Sequence, residues 1–160
     1  MKTLKDLFEH QLKDLYSAES QLIKALPEMV KNSSHKELKN SFESHLEETK
    51  EQKDRLVEIC DQLGIKPSGE ECKAMKGLIE EAKSFLEEDA ETDVRDAGII
   101  AEAQRIEHYE ISGYGTAVRY AKELGYSEIA RMLQKTLDEE YSADQKLDDL
   151  AIGRINVEAK

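Results

Sequence analysis

The chain has 160 residues, 39% hydrophobic and 36% charged, with a formal net charge of -12. That length suits one domain, residues 1–160, with a continuous core that needs no disulfide or structural metal, and the composition excludes a disordered chain. The acid excess argues against a nucleic-acid partner, which requires clustered Lys and Arg to replace counterions on phosphate.

The two cysteines, Cys60 and Cys72, form no metal-spaced motif and are expected to be free thiols. The opening MKTLKDLFEH lacks the apolar run of a signal peptide. No stretch reaches membrane-spanning length, so no membrane partner and a cytoplasmic location are expected.

From Thr3 to about Val30, Leu4, Phe8, Leu12, Leu15, Leu22 and Leu26 recur at three- and four-residue steps, predicting a helix with Glu19 in the gap of its apolar stripe. Pro27 predicts a kink or local distortion. Asn32-Ser33-Ser34 is a polar break, with Ser34 and Glu37 forming a capping-box pattern for a second helix over about His35 to Leu63. Its face carries Leu38, Phe42, His45, Thr49, Gln52, Leu56 and Ile59, with Glu48 beside Thr49.

Gly64 to Gly69 ends that helix, and Cys72 to about Glu88 reads as a shorter helix within a crossover. A third long helix is predicted from about Asp93 to Leu124, with Glu107 and Glu110 on the face of Ile99, Ala103, Ile106, Tyr114 and Val118. Gly125 ends it, Ser127 is the expected N-cap of the fourth, and Glu140 and Asp144 fill the gap between Leu137 and Leu147. Hairpin, crossover, hairpin is the connectivity of an all-α, ferritin-like four-helix bundle. A faint repeat agrees with this: a shift of 92 positions lays Glu48 on Glu140 and Gln52 on Asp144.

Four acids, Glu19, Glu48, Glu107 and Glu140, thus fall near the midpoints of four helices, each roughly 40 Å long at about 1.5 Å per residue. Taken singly, each could be a solvated surface charge. Together at one level they predict a metal centre, because buried carboxylates repel one another unless a cation joins them. One turn away lie Glu110, Asp144, His45 and Gln52 as further candidate ligands. His45 and Gln52 each admit two roles, ligand or hydrogen-bonding neighbour of a carboxylate. Such oxygen-rich ligation suits iron or manganese, with magnesium or calcium as redox-inert alternatives. The tyrosines are read as packing residues, with a buried hydroxyl near the centre able to tune it.

The segments DLYSAESQL, SHLEET, GLIEEA, VRDAGIIAEAQRIEHYEISGYGTA and TLDEEYSADQKLDDLA resemble the YciF-like family of ferritin-like bacterial stress proteins over nearly the full length. The resemblance implies a bundle with an extra crossover helix, a homodimer, a di-iron or similar centre, and induction under osmotic or other stress. It also implies that Glu19 and Glu107 are the single carboxylates of the first and third long helices, with Glu48 and Glu140 the bridging or paired ones of the second and fourth. The chain departs from the wider ferritin pattern in lacking Glu-x-x-His: Glu48 is followed by Glu51 and Glu140 by Ala143. Gln52 and Asp144 are therefore expected in place of imidazoles. The function expected is binding of two iron ions, or manganese, with ferroxidase or peroxide-detoxifying activity toward dioxygen or peroxide. The alternative is a structural or partner-binding stress protein whose metal site is degenerate or empty.

Overall fold

In the computed structural model, which describes residues 1–160, the helices are α1 (Leu4–Asn32), α2 (Lys36–Leu63), α3 (Lys73–Leu86), α4 (Thr92–Glu123) and α5 (Ser127–Leu150). A π-helical turn, Ala151–Ile155, and a last short turn, α6 (Asn156–Glu158), continue α5.

Helix starts follow local chemistry in some places and tertiary contacts in others. Thr3 caps α1 in a capping box with Asp6. The box expected at Ser34 and Glu37 does not form, and α2 begins after His35 with no side-chain cap of its own. Instead the buried Asp96 of α4 accepts the backbone N–H groups of Ser34 at 2.9 Å and His35 at 2.7 Å. A carboxylate at a helix start meets both free backbone donors and the positive end of the dipole, so Asp96 anchors the entry of α2 from the other hairpin.

Pro27 lies inside α1 without ending it. It is exposed, so water can meet the carbonyl it leaves unpaired. At the other end of the second hairpin, Gly125 adopts φ 77 and turns the chain from α4 into α5.

Each long helix puts one face inward. On α1, Phe8, Leu12, Leu15, Glu19, Leu22, Leu26 and Met29 alternate four- and three-residue steps and are all buried. On α2 the same stepping selects Leu38, Phe42, His45, Thr49, Gln52, Leu56 and Ile59.

The four faces build two separate apolar clusters. One joins the carboxyl half of α1, the amino halves of α2 and α4, α3, and the end of α5. The other joins the amino half of α1, the carboxyl halves of α2 and α4, and the start of α5. α2 and α4 therefore run parallel, and both are antiparallel to α1 and α5, the arrangement that one long crossover imposes. The crossover helix α3 packs across α4 and α1, where the ring of Phe85 fills the space left by the missing side chain of Gly98. Between the two apolar clusters lies a layer of buried polar side chains.

Candidate metal centre

That middle layer contains Glu19 from α1, His45, Thr49 and Gln52 from α2, Glu107 and Glu110 from α4, and Glu140 from α5, all buried. Apolar residues above and below deny it bulk water, so every charge and lone pair in it needs a local partner.

The partners are too few. His45 lies with Nε2 3.2 Å from Glu107 Oε1 and 4.0 Å from Glu140 Oε2, while Nδ1 is 3.6 Å from Glu48 Oε2. Gln52 donates to Glu140 Oε1. The buried Tyr114 hydroxyl donates to Glu19 Oε1. Beyond these, Glu19 Oε2, Glu107 Oε2, Glu140 Oε2, Gln52 Oε1 and both oxygens of Glu110 have no hydrogen-bond partner, and neither ring nitrogen of His45 makes an aligned one.

One ligand atom each from His45, Glu107, Glu110 and Glu140 falls within 4.8 Å of the others. Two carboxylate oxygens bound across a divalent ion at about 2.0–2.2 Å each stand about 4.4 Å apart, so small side-chain movements would close the group on a cation. These orphaned acceptors and imidazole suit a hard or borderline divalent ion and no anion.

Without a cation the layer balances its charge with protons. Burial pushes the Glu19 carboxyl up to about 8, against the pull of the Tyr114 hydroxyl. Burial, reinforced by Glu19 and Glu107, holds Glu110 well above the ordinary carboxyl range. Burial, with Glu110 and Glu107, does the same for Glu140. Burial opposes charge on His45 too, but Glu107, Glu48 and Glu110 together outweigh it and lift the imidazole well above its usual value. Glu107 moves the other way: burial disfavours its charge, and the pairing with His45, helped by Glu140 and His108, more than reverses that. The layer therefore holds one imidazolium–carboxylate pair among neutral acids.

Of the residues selected from the sequence, His45, Glu107, Glu110 and Glu140 meet in one group, with Glu19 and Gln52 in the same layer. Two do not join it. Glu48 sits on the rim, 33% exposed, against His45 and 4.0 Å from Lys146 Nζ. The inward steps of α2 pass through His45, Thr49 and Gln52, and Glu48 is turned by about 100° from Thr49. The inward carboxylate expected of α2 is thus replaced by an imidazole. Asp144 is also outside: it accepts from Gln104 at 3.1 Å and pairs with the exposed His108 at 3.2 Å. Ala143, three residues after Glu140, takes the buried position instead.

A supporting chain was not foreseen from the sequence. Arg55 donates to Glu139 at 2.9 and 3.2 Å and to Thr136, and Glu139 accepts from Gln52 at 3.3 Å. Arg55 stands three residues after Gln52, on the same flank of α2, and that spacing was the available signal. Cys60 and Cys72 are free and buried. Cys72 meets the Tyr109 hydroxyl at 2.9 Å rather than the polar layer.

A four-helix bundle of two hairpins and one crossover, with carboxylates and an imidazole at its middle, defines a ferritin-like protein. The family model described as a domain of unknown function, DUF892, matches residues 3–160, and the chain belongs to that YciF-like family. It is 45% identical to Protein YciF of Escherichia coli (strain K12) over 161 residues, covering 100% of this chain and 97% of that one. The crystal structure of the E. coli stress protein YciF superposes with a TM-score of 0.94, covering 98% of this chain and 99% of that chain. YcfI of Rhodopseudomonas palustris is similar at 46% identity and a TM-score of 0.90, covering 92% of this chain and 94% of that one. A dodecameric thioferritin, the bacterioferritin-related protein of Bacteroides fragilis, shares the fold at 16% identity and a TM-score of 0.71, over 94% of this chain and 87% of its own. No helix is long and apolar enough to cross a membrane.

Proposed function

We propose that this chain binds a dinuclear centre of iron, or of manganese, in the middle layer and acts as a stress-response metalloprotein with ferroxidase or peroxide-detoxifying activity. The observation that carries the proposal is the group of unpartnered buried oxygens on Glu19, Glu107, Glu110 and Glu140 beside His45. A folded chain tolerates such atoms only at a cost of about 1–3 kcal/mol each, and ligation removes that cost.

The residues divide the work. Glu110 has both oxygens free and would offer two donors to bound metal. His45 and Glu107 supply a nitrogen and an oxygen on one side. Glu140, held at Oε1 by Gln52, and Glu19, held at Oε1 by Tyr114, each present the other oxygen inward. Gln52 and Tyr114 thereby orient ligands without needing to bind. Bound iron or manganese would supply a one-electron couple for reaction with dioxygen or peroxide. The apolar clusters on either side would keep water from the reacting ions. The E. coli relative is a stress protein, which agrees with a protective role for this chain.

The test is metal analysis of protein loaded anaerobically with Fe(II), followed by exposure to oxygen. Two ions per chain and a new near-ultraviolet absorption on oxidation are expected. No retained metal would refute the proposal.

A second reading is a partner-binding stress protein whose centre stays empty. It is favoured by the His45–Glu107 ion pair and the Gln52–Glu140 hydrogen bond, which already satisfy part of the layer. A melting temperature unmoved by saturating Fe(II) or Mn(II) would select it, since a ligand of the native state alone must stabilise that state.

A further inference from the structure

Three half-exposed acids flank the buried layer, and they differ in what holds them. Glu139 is clamped by two bonds from Arg55, accepts from Gln52 and has Lys135 at 3.8 Å. Asp144 is occupied by Gln104 and His108. Glu48 alone combines an oxygen aimed at a member of the buried group with a weakly held outer side. Its Oε2 faces Nδ1 of His45 at 3.6 Å, and its Oε1 has only the exposed Lys146 at 4.0 Å.

Glu48 also lines an open groove on the outside of α2 and α5, together with Asp138, Glu139 and Ser142, with Arg131 and Lys135 bordering it. The Nδ1 atom of His45, on a side chain only 5% exposed, is without a hydrogen-bond partner and points toward this rim carboxylate. From solvent to the buried oxygens there is thus a ladder of short steps: groove, Glu48, His45, then Glu107 at 3.2 Å.

We propose that Glu48 is the entry carboxylate through which a divalent cation passes from the α2–α5 groove to the buried group, with Lys146 as the charge it must displace; this rests on the metal-binding reading above. An exposed ion pair at this separation is weak, so an arriving cation can take the place of the Lys146 ammonium. Rotation of the Glu48 side chain then delivers the ion past the His45 ring to Glu107, the His45 proton leaving to water in the groove as the ion takes its place, while Glu48 itself remains at the rim. Glu48 is a positioning residue here, acting on the rate of loading and not on the final ligand set.

The experiment is stopped-flow mixing of chelator-stripped protein with Co(II), read as growth of its visible absorption, beside calorimetric titration at equilibrium. Glu48→Gln is expected to slow loading about tenfold, as loss of a steering charge does, while the number of ions bound stays that of the native protein. Lys146→Gln is expected to quicken loading, and added salt to slow the native protein more than Glu48→Gln. Equal loading rates for native and Glu48→Gln protein would overturn the proposal, and so would a reduced number of ions in Glu48→Gln, which would make Glu48 a ligand. Failure of native protein to bind Co(II) at all would instead overturn the metal-binding reading beneath it.

Discussion

Replacing Glu19 by Gln in chelator-stripped protein isolates the cost of keeping an acid in the middle layer. Glu19 is fully buried, and burial raises its carboxyl from the ordinary 4.5 to about 8. At neutral pH the folded chain therefore holds a proton there that the unfolded chain has lost. A folded-state pKa raised in this way gives a contribution to stability that is complete below about 4.5 and drains away as pH rises toward about 8. The slope is about 1.4 kcal/mol per pH unit, which amounts to about 3 kcal/mol between the ordinary carboxyl pKa and pH 7. Gln has the same shape, still accepts from Tyr114 and does not titrate. Glu110 and Glu140 slope in the same direction in both proteins, and because Glu19 helps to raise both, its removal eases them and adds to the same trend. Urea unfolding followed by circular dichroism across mildly acid to mildly alkaline pH should show Glu19→Gln gaining on the native protein by about 1.4 kcal/mol per unit. A difference that stays flat with pH would refute the reasoning, because it would mean that Glu19 is already ionised in the folded chain.

Metal uptake should weaken as pH falls and should release protons, since Glu19, Glu110 and Glu140 all sit above the ordinary carboxyl range and the His45 imidazole is lifted too, so that each must lose its proton to ligate; calorimetry in buffers of different ionisation enthalpy counts them. Asp144→Asn should leave the number of bound ions unchanged, as inductively coupled plasma analysis after desalting would report, because Asp144 bonds to Gln104 and His108 and not to the layer. Asp96→Ala should cost about 1–3 kcal/mol in urea unfolding, since the N–H groups of Ser34 and His35 both lose their acceptor. Gly98→Ala should loosen the crossover, because its methyl would fall 1.9 Å from Phe85 Cζ. The ring must leave its seat at a cost of about 1–3 kcal/mol, and faster hydrogen exchange in α3 is the measurement.

Strict four- and three-residue stepping made much of this architecture readable in advance. On α1 the stepping runs from Phe8 to Met29 through Glu19 without interruption, so an acid on the buried face is evident from the chain alone. Glu107 and Glu110 are legible for the same reason, both lying among Ile99, Ala103, Ile106 and Tyr114. On α2 the stepping through Leu38, Phe42, His45, Thr49 and Gln52 was equally available, and it passes Glu48 by. What marks Glu48 in the chain is its place near the midpoint of α2, beside Thr49. A rotation of one residue decides between rim and interior. Asp144 lies outside the group on the same ground, since both Ala143 and Asp144 lie within a turn of Glu140 and only packing against α4 chooses between them.

The sequence alone determined where helices run, which stripe of each is apolar, and that hairpin, crossover and hairpin leave acids at a common level. Those properties depend on residues a few positions apart, and chain geometry relates them directly. Tertiary structure alone decided that His45 pairs with Glu107, that Tyr114 and Gln52 hold one oxygen each of Glu19 and Glu140, and that Asp96 of one hairpin caps a helix of the other. Each of these contacts joins residues about 60 to 95 positions apart. The rotation and axial register of one helix against another settle such contacts, and the sum of all the packing across the bundle sets both.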